Sequence, residues 1–581
     1  MRRVFILILA LIGMSQISAI GQSSYDIQAV SELMGCEMED IDSDQLERLH
    51  HLLKRPLKLN LSSASDLMGS GLFSRYQAAS LIDYREKNGE ILSYMELSSI
   101  DGFPEGFVRT IRPFTSLETA SHQMRYSTEN EILLRSVLKA SDRVAKYSYD
   151  TRYTFESRKS FKAAVGLSNS LETDNPKPDI LSGHLEWDSF KSPIKLVLGD
   201  FNARFGQGLS LWNGLNMNSY TTPSSYMRRP SGVTSSSSLT GKYAYTGFGT
   251  EISTQHWTLT ALLASPGIKQ SIKYPGKVQL MPAVNLNYLW RNGQAGVTHS
   301  LIFSDLTDCP HIPSMNTSAD FMLCVKGIDL FTEIAFDWVD RNISAVSGVV
   351  FPIYESTDAA VKLGINPGEY ILNCCCSIAT GRWMNTKGNK GSERRMKGSV
   401  STEAILYAIP KSNNQSRSIQ MKFHTQWQYA FHESLLMTVR ITERIRSWGS
   451  RYRTDIRSDL QYVSNLFSAT WRINLLNCIG TSFLTYLDES IKNDKMTIHL
   501  RQGLFLIDHW DDRIYAYEYD VPGSFNSPAY YGRGFWISAM STWRITQRLK
   551  LYVRAGYTAY PFMKEKKPGK AELKLQTVYS F

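Results

Sequence analysis

The sequence predicts a mainly β protein, a large antiparallel transmembrane β-barrel preceded by a small all-α domain. Segments of alternating apolar and polar residues recur from about residue 125 onward, and successive side chains of a strand point to opposite faces. Charged residues make up 20% of the 581 residues. This excludes a bundle of transmembrane helices but suits strands that show lipid only every second residue. Aromatic residues reach 12%, and membrane barrels place them in girdles at both interfaces.

The first residues have the composition of a cleaved secretory signal. Arg2 and Arg3 precede the apolar run Val4–Met14, and small residues follow it. A short basic head, an apolar core of this length and a small-residue ending are typical of export signals, and the run is too short to span a bilayer. We therefore expect an exported protein, with a signal peptide at 1–21 and a linker at 22–41.

Residues 42–117 have a helical pattern. Apolar residues recur at helical spacing, and three capping pairs mark helix starts: Ser63 with Asp66, Ser74 with Gln77, and Ser93 with Glu96. Pro104 fits the first turn of a last helix. The pattern predicts several short helices that pack into one compact unit.

Four runs within this unit carry a resemblance to a known module: L-N-L-S-S-A-S-D-L, A-A-S-L-I-D-Y-R-E-K-N-G, S-Y-M-E-L-S-S-I-D-G-F and I-R-P-F. They resemble the tandem helix-hairpin-helix module of competence DNA receptors. They are more closely similar to the version that opens a family of Bacteroidota outer-membrane proteins of unassigned function. In the DNA-binding members, backbone amides of each hairpin hold a DNA phosphate. The resemblance implies these DNA-binding candidates: Gly71, Ser74, Arg75, Gly102 and Arg109.

The departures from that module fall where DNA would be touched. Phe73 stands where a second glycine belongs, and Pro104 has no N–H to offer. Between residues 42 and 117, nine Lys and Arg face ten Asp and Glu, whereas duplex binding depends on phosphate neutralisation. The pattern therefore favours a protein contact or docking to the barrel over DNA contact.

The barrel is predicted at 125–581. In the last segment, Leu573, Leu575 and Tyr579 share one face and Lys574 and Gln576 share the other, so one face is apolar and the other polar. This segment resembles the closing strand of a bacterial outer-membrane barrel. The segments indicate about 22 strands, with 18 to 26 allowed and an even number expected.

One block interrupts the strand pattern. Gly199–Gly208 reads G-D-F-N-A-R-F-G-Q-G, and it also resembles the Bacteroidota family. The block predicts an inward bend with a polar ladder, and a Ser-, Gly- and Pro-rich loop follows at about 215–240. Two interpretations stay open: a loop that gates the lumen, or a structural bend with an ordinary surface loop. The candidate lumen and loop residues are Asp200, Asn202, Arg204, Gly206, Gln207 and Gly208.

The sequence contains no recognisable catalytic or metal-binding pattern. Cys374–Cys376 are consecutive on a predicted strand and point to alternating faces, so they cannot enclose a metal. Cys309 and Cys324 could form a disulfide across a loop, and His311 beside Cys309 is too little for a zinc site. No cofactor is expected, and the protein is not expected to be an enzyme.

Three functions remain after this. The first is a pore or transporter in the outer membrane of a Gram-negative cell, with the helical domain on the periplasmic side or in the barrel mouth. The second is an assembly role in which the helical domain contacts a periplasmic protein. The third, disfavoured, is DNA uptake. The expected partners are outer-membrane lipid and the barrel assembly machinery, together with that periplasmic protein; nucleic acid is the alternative.

Overall fold

The computed structural model describes most of the chain after residue 56. The described residues are 49, 52–53, 56–118 and 128–581, without 63, 104, 142–143, 158–160, 170–177, 179, 189–192, 214–225, 239–243, 255, 266–279, 291, 304–313, 326, 355–356, 367–368, 381–397, 410–417, 433, 448–450, 465, 494, 525 and 564–566. Only the backbone is described for 64–65, 75, 105–106, 354, 357–358, 369–380, 398–409 and 418. The predicted signal peptide and linker lie outside these residues.

The described strands close into one antiparallel barrel, and each wall strand pairs with its neighbours in sequence. The ring closes where the last strand, β29 (Lys570–Ser580), pairs with β3 (Thr128–Ser141), with Leu573 opposite Leu138 and Tyr579 opposite Ile132. The short strand β8 (Gly232–Ser235) is not part of the ring, because β7 (Ile194–Arg204) also pairs directly with β9 (Tyr245–Ser253). Without β8, the described wall has 24 strands, an even number within the expected range.

The bounds of the first wall strands and of β8 are β3 Thr128–Ser141, β4 Val144–Ser157, β5 Phe161–Ser168, β6 Ile180–Asp188, β7 Ile194–Arg204, β8 Gly232–Ser235, β9 Tyr245–Ser253, β10 Trp257–Ser265, β11 Met281–Trp290, β12 Gly293–Ile302, β13 Ser314–Val325 and β14 Ile328–Asp337. The remaining wall strands are β15 Asn342–Tyr354, β16 Thr357–Asn366, β17 Glu369–Thr380, β18 Gly398–Ile409, β19 Ser418–His432, β20 Leu435–Arg446, β21 Tyr452–Val463, β22 Phe467–Asn477, β23 Thr481–Lys492, β24 Met496–Ile507, β27 Gly532–Arg544, β28 Leu549–Ala559 and β29 Lys570–Ser580. Two short strands, β25 Ile514–Tyr515 and β26 Ala529–Tyr530, pair with each other outside the wall.

The outer face of the wall is apolar. Leu573, Leu575 and Tyr579 of β29 are exposed, whereas Lys574 and Gln576 between them are buried on the inner face. The same alternation runs through the other described strands, whose exposed positions are rich in Leu, Ile, Val, Phe, Tyr and Trp. An exposed apolar band around a closed barrel is the surface that lipid covers. The predicted fold class, a large transmembrane β-barrel after a small helical part, is confirmed.

The two ends of the barrel differ in the length of their connections. Most connections are short at the end that holds Thr128 and Ser580, such as 326–327 and 545–548. Longer connections, including 205–244, 508–531 and 560–569, lie at the opposite end. Two of these long segments fold back into the barrel, as described below.

The helical unit precedes the wall. Its helices are α1 Ala64–Gly69, α2 Arg75–Asn88, α3 Tyr94–Leu97 and α4 Glu105–Ile111, followed by a 3₁₀ turn at Arg112–Phe114. Ser74 and Gln77 form the predicted capping box of α2, and Ser93 caps α3 through the Glu96 N–H. The strands β1 Leu57–Lys58 and β2 Thr115–Ser116 pair in parallel and join the two ends of the unit.

The core of the helical unit consists of side chains from all four helices and their turns. Its fully buried members include Leu59, Leu67, Leu72, Phe73, Leu81, Ile91, Leu97, Ile111 and Phe114. Asn60 supports this core: its side-chain amide bonds both backbone atoms of Ile91 and the carbonyl of Leu117. No helix among the described residues is long and apolar enough to cross a membrane.

Candidate functional site

The polar ladder of β7 is buried and holds the wall. Asp200 is 2% exposed; its carboxylate accepts hydrogen bonds from the Gly183 N–H at 2.9 Å and the Thr246 hydroxyl at 2.7 Å. Asn202 accepts a bond of 2.7 Å from the side-chain amide of Asn213, and the Arg204 guanidinium donates to the Asn213 carbonyl at 3.0 Å. The three side chains share one face, and their described bonds hold neighbouring strands and the turn after β7.

The turn after β7 encloses a carboxylate from another part of the wall. Glu333 of β14 is 1% exposed and accepts from the backbone N–H groups of Gln207 at 2.6 Å and Leu209 at 3.1 Å. Gly206 has a φ of +55°, and a Cβ there would come within 2.8 Å of the Glu333 carboxylate. Only glycine therefore allows this close approach. The glycine-rich turn surrounds a residue of the protein itself.

Gln207 and Gly208 bind the next part of the same connection. The Gln207 side chain exchanges two hydrogen bonds with the backbone of Arg228, whose guanidinium donates to the Gln207 carbonyl at 3.0 Å. The same guanidinium lies 5.1 Å from the Trp212 ring. Gly208, which lies next to this guanidinium, has a φ of +83°. We call residues 205–244 the first inward loop; its described parts are 205–213, 226–238 and 244.

The first inward loop contacts several parts of the inner wall. Tyr226 is fully buried against Phe331 of β14 and Ala360 of β16, and Lys362 donates to its carbonyl at 3.2 Å. Further on, His184 of β6 bonds the Ser236 carbonyl at 2.9 Å. The Ser- and Gly-rich part of the chain that the structure describes therefore lies inside the barrel; residues 214–225 and 239–243 lie outside the described residues.

A second inward loop, residues 508–531, was not identified from the sequence. The carboxylate of its Glu518 accepts hydrogen bonds from the guanidinium of Arg554 of β28 and from the hydroxyl of Tyr530. Its Asp520 receives the Lys574 ammonium of β29 at 2.6 Å. These groups are almost fully buried, so each charge is paired where water cannot solvate it. The available signal was the set of inward cations on the last strands, matched by the acidic and aromatic run Y-A-Y-E-Y-D.

Two wall arginines fix the backbone of the second inward loop. Arg135 of β3 donates to the Pro522 carbonyl at 2.7 Å and to the Gln576 side chain at 2.7 Å. Arg501 of β24 donates to the Tyr517 carbonyl and, at 2.6 Å, to Asp488. Inward-facing side chains of β3 and β24 thus bind the backbone of the loop.

The helical unit packs against both inward loops. Arg229 of the first loop donates to the Leu72 carbonyl at 3.1 Å and lies 5.1 Å from the Phe107 ring. Tyr517 of the second loop packs into the core of the helical unit. Burial lowers the pKa of Arg229 to about 10, so the guanidinium remains charged at neutral pH.

The helical unit also meets the inner wall directly. A Cβ placed on Gly69 at the end of α1 would lie 3.4 Å from Thr234 of β8. Lys162 of β5 lies 3.8 Å from the Asp66 carboxylate and 3.2 Å from Glu186. Helix α2 runs beside β11 and β12. The helical unit therefore contacts β5, β8, β11 and β12.

Gly71 and Gly102 lie in turns of the helical unit that are not open phosphate sites. Both glycines have positive φ, +73° and +87°. The Gln77 side chain donates to the Gly102 carbonyl at 2.7 Å. The Leu72 N–H bonds Ser70 and the Ser74 N–H bonds Gln77, so these amides are used within the unit.

The other DNA-binding candidates do not form an open phosphate site either. The Ser74 hydroxyl accepts the Gln77 N–H as a helix cap. Arg109 is exposed on α4. Arg75 begins α2, and its side chain lies outside the described part of the structure. Phe73 packs 5.8 Å from Phe103 in the core rather than presenting an open turn.

The structure describes only some of the residues that the disulfide and metal-site expectations concern. Cys324 carries a free thiol; Cys309 and His311, the other residues of these expectations, lie outside the described residues. Cys374–Cys376 lie on β17, of which the backbone alone is described. Among the described residues, no group of three His, Cys, Asp or Glu side chains is placed to hold a metal ion.

No family model matches the sequence, and no curated protein matches it. Solved structures do: the siderophore receptor PirA of Pseudomonas aeruginosa has a TM-score of 0.39 and 8% identity, over 79% of this chain and 81% of that chain. The chain is also similar to OccK10 (OpdN) of the same organism, with a TM-score of 0.31, 8% identity and coverage of 78% and 99%. OpdK with vanillate matches with a TM-score of 0.29 and 8% identity, over 78% of this chain and 99% of that chain.

Proposed function

We propose that the protein is an outer-membrane channel whose lumen is narrowed by the helical unit and the two inward loops. The observation that carries this proposal is the seating of the helical unit on inward-facing groups, through Arg229, Thr234 and Tyr517. An unfilled barrel of this strand number would enclose a wide aqueous channel. A folded unit inside it reduces the section open to solutes.

The proposal includes an orientation. Short connections face the periplasm in bacterial outer-membrane barrels and long ones face outward. By this rule the end with Thr128 and Ser580 is periplasmic, and the two inward loops enter from outside. A periplasmic position for part of the helical unit is supported by the 3.8 Å distance between Asp66 and Lys162, which lies at the start of β5.

The test is conductance in planar bilayers. We expect a variant lacking residues 42–117 to conduct several-fold more than the intact protein, because the section available to ions increases. Folding of both forms is checked by heat-modifiable migration on SDS gels, and the variant Asp83→Asn, at an exposed site of the same unit, serves as a control. Equal conductance from folded intact and deleted proteins would contradict the proposal.

The resemblance to helix-hairpin-helix modules remains part of this proposal. It is supported by the positive φ of Gly71 and Gly102 and by the capped helices that follow. Duplex binding is not supported, because the hairpin amides of Leu72 and Ser74 already bond inside the unit. We expect the full-length protein to bind a labelled duplex no more tightly than about 10⁻⁴ M at physiological salt. Micromolar binding that weakens steeply with salt would reverse this view.

A second candidate function is contact with a periplasmic protein. Leu92 and Met95 of the helical unit are 76% and 85% exposed, and adjacent exposed apolar side chains are common at protein contacts. A photo-crosslinking residue at position 95 should then capture one discrete partner in cells. The same residue at exposed Asp83 is the control, and equal labelling from both positions would remove this candidate.

A further inference from the structure

A cavity of about 360 Å³ lies between the second inward loop and the last and first strands of the wall. Its lining comes from β3, β4, β27, β28 and β29 and from the part of the loop between Glu518 and Tyr530. The lining includes Ser141 and Val144, on either side of the β3–β4 connection, and Lys570, the first residue of β29. The cavity therefore lies at the end of the barrel that has the long connections. Small-molecule sites have volumes of about 300–1,000 Å³, so a small solute fits here.

A glycine keeps part of this cavity open. Gly556 of β28 belongs to the lining, and a Cβ placed on it would have the Arg554 guanidinium at 3.8 Å and the Ser538 Cβ at 4.0 Å as its nearest neighbours. These are ordinary contact distances. The φ of Gly556 is not positive, so the backbone there accepts any side chain. A large side chain at position 556 would therefore occupy the cavity without straining the strand.

The buried polar groups of the lining are held in place by one another. The Arg554 guanidinium donates to Glu518 and to Glu572. Glu518 also accepts from the Tyr530 hydroxyl and, at 2.8 Å, from the side-chain amide of Asn526. A ligand entering the cavity would therefore meet an ordered surface, and such a preformed surface reduces the entropy lost on binding.

The lining carries more positive than negative charge. Its charged residues are four cations and two acids: Lys139, Lys146, Lys570, Arg554, Glu518 and Glu572. Glu572 is shared between several cations, since it lies 3.1 Å from Lys139 and 3.7 Å from Lys574 and also accepts from Arg554. The excess is a count of charges and holds although Lys139 and Arg554 are paired.

The connections beside the cavity do not reverse this excess. The β3–β4 connection contains one acid and one base, and the β28–β29 connection contains three lysines and one acid: Asp142, Arg143, Lys564, Lys566, Lys567 and Glu565. Lys146 and Lys570 of the lining are exposed. Because lysine has a flexible four-carbon stem, their ammonium groups are able to follow an anion in the cavity.

The uncharged part of the lining is formed by short side chains. Its hydroxyl and amide residues are Ser141, Asn526, Ser538 and Thr558, and Val144 and Pro528 add apolar surface. Hydroxyl and amide groups both donate and accept hydrogen bonds, so they match the hydroxyl groups of a solute. The cations match a carboxylate or a phosphate, to which lysine binds as a point charge.

We propose that this cavity binds a small hydroxylated organic anion, of the sugar-acid or sugar-phosphate class. Lys139, Lys146 and Lys570 attract the anionic group, and the hydroxyl and amide groups of the lining bond the hydroxyls. The site goes beyond the channel proposal, because binding here requires no conduction.

The test uses glucuronate as the probe, titrated into the purified full-length protein and observed by saturation-transfer NMR. Glucose, which has nearly the same shape without the charge, is the matched probe. We expect saturable binding of glucuronate that weakens with salt, and weaker binding of glucose.

Two positions of the lining test the site itself. Gly556→Phe should abolish binding because its ring occupies the cavity, whereas Gly556→Ala should retain it. Lys146→Gln should weaken glucuronate binding about threefold, as expected for one exposed charge, and leave glucose binding unchanged. The control is Arg533→Gln, an exposed arginine paired with Asp508 outside the lining, which should bind as the wild type does.

The possible results separate this site from the channel proposal. No glucuronate binding by the wild type, equal binding of glucose and glucuronate, unchanged binding in folded Gly556→Phe, or equal loss in Arg533→Gln would overturn the site. Each variant is first shown to be folded by heat-modifiable migration; if Gly556→Phe does not fold, Lys146→Gln and the comparison of the two probes decide. Binding that depends on Gly556, together with conductance that is unchanged on deletion of residues 42–117, would defeat the channel proposal and leave the site standing.

Discussion

Glu333 shows how one buried carboxylate can organise a loop. The carboxylate is withdrawn from water, and the N–H groups of Gln207 and Leu209 replace the lost solvation. A charged acceptor strengthens such bonds. The glycine at 206 is needed because any side chain there would occupy the space of the carboxylate.

We therefore predict that Glu333→Gln loosens the turn after β7. The amide side chain has nearly the same shape but lacks the charge, so the two hydrogen bonds should weaken by about 1–2 kcal/mol together. Hydrogen exchange of a fragment covering 206–209 should become about tenfold faster or more. Asp337→Gln, at the end of the same strand, should leave this fragment unchanged; unchanged exchange in Glu333→Gln would show that the carboxylate does not hold the turn.

The second inward loop is held chiefly by buried ion pairs. Asp520 is paired with Lys574 and Glu518 with Arg554, all within the lumen. Removing one member of a buried pair leaves the other charge uncompensated, which costs more than the pair contributes. The charges therefore select one position for the loop.

We predict that Asp520→Asn in this loop lowers the free energy of unfolding of the protein by about 3–5 kcal/mol, because the Lys574 ammonium stays buried without its charged partner. The control is Asp511→Asn in the same loop, where the carboxylate is 61% exposed and the change should be within about 0.5 kcal/mol. Thermal unfolding of the purified proteins measures both. Similar midpoints for the two variants would show that the loop does not depend on this pair.

The Asp520–Lys574 pair also predicts how the stability of the second inward loop depends on low pH. Burial raises the pKa of Asp520, but Lys574 and Arg554 outweigh it and hold the pKa below its ordinary value. A lowered folded-state pKa gives stability that is complete above the unfolded value, near pH 4, and is lost as the pH falls through the folded value. Hydrogen exchange of residues 514–524 should stay slow down to about pH 4 and accelerate below it. Acceleration already at pH 6 would mean that other groups control the loop.

The described part of the molecule consists of a wall, two inward loops and a helical unit that touches both loops. Helix α1 approaches β8 closely enough for a covalent test, since a Cβ on Gly69 would lie 3.4 Å from Thr234. That distance is to the γ-methyl carbon of Thr234, a position that a cysteine Sγ at 234 could occupy, so the two cysteines would be within reach of a disulfide. The site reports whether the helical unit must move during conduction.

We predict that Gly69→Cys combined with Thr234→Cys forms a disulfide on oxidation and leaves conductance unchanged. The disulfide joins two positions that already lie close together in the structure, so it fixes the helical unit where it stands and does not narrow the lumen further. Conductance is compared before and after reduction, with oxidised wild-type protein as the control. Loss of conductance that reduction restores would instead show that the unit is a mobile gate.

The barrel, the lipid-facing positions and the capped helices could be predicted from the chain because they depend on local periodicity. Leu573, Leu575 and Tyr579 alternate with Lys574 and Gln576 whatever lies elsewhere, and Ser74 caps a helix through a residue three positions away. The prediction of about 22 strands came close to the 24 of the described wall, because turn residues separate the strands.

The contents of the lumen could not be found in this way. Glu333 meets Gln207 across 126 positions of sequence, and Arg135 meets Pro522 across 387. A charged residue on an inner face has the same local pattern whether it faces water, an ion or a loop. Which of these three surroundings the charge has is determined by its burial and its pairing, and both depend on which distant segment fills the barrel. The alternation of side chains therefore specified the wall, whereas long-range charge pairing in a water-poor interior decided what the wall encloses.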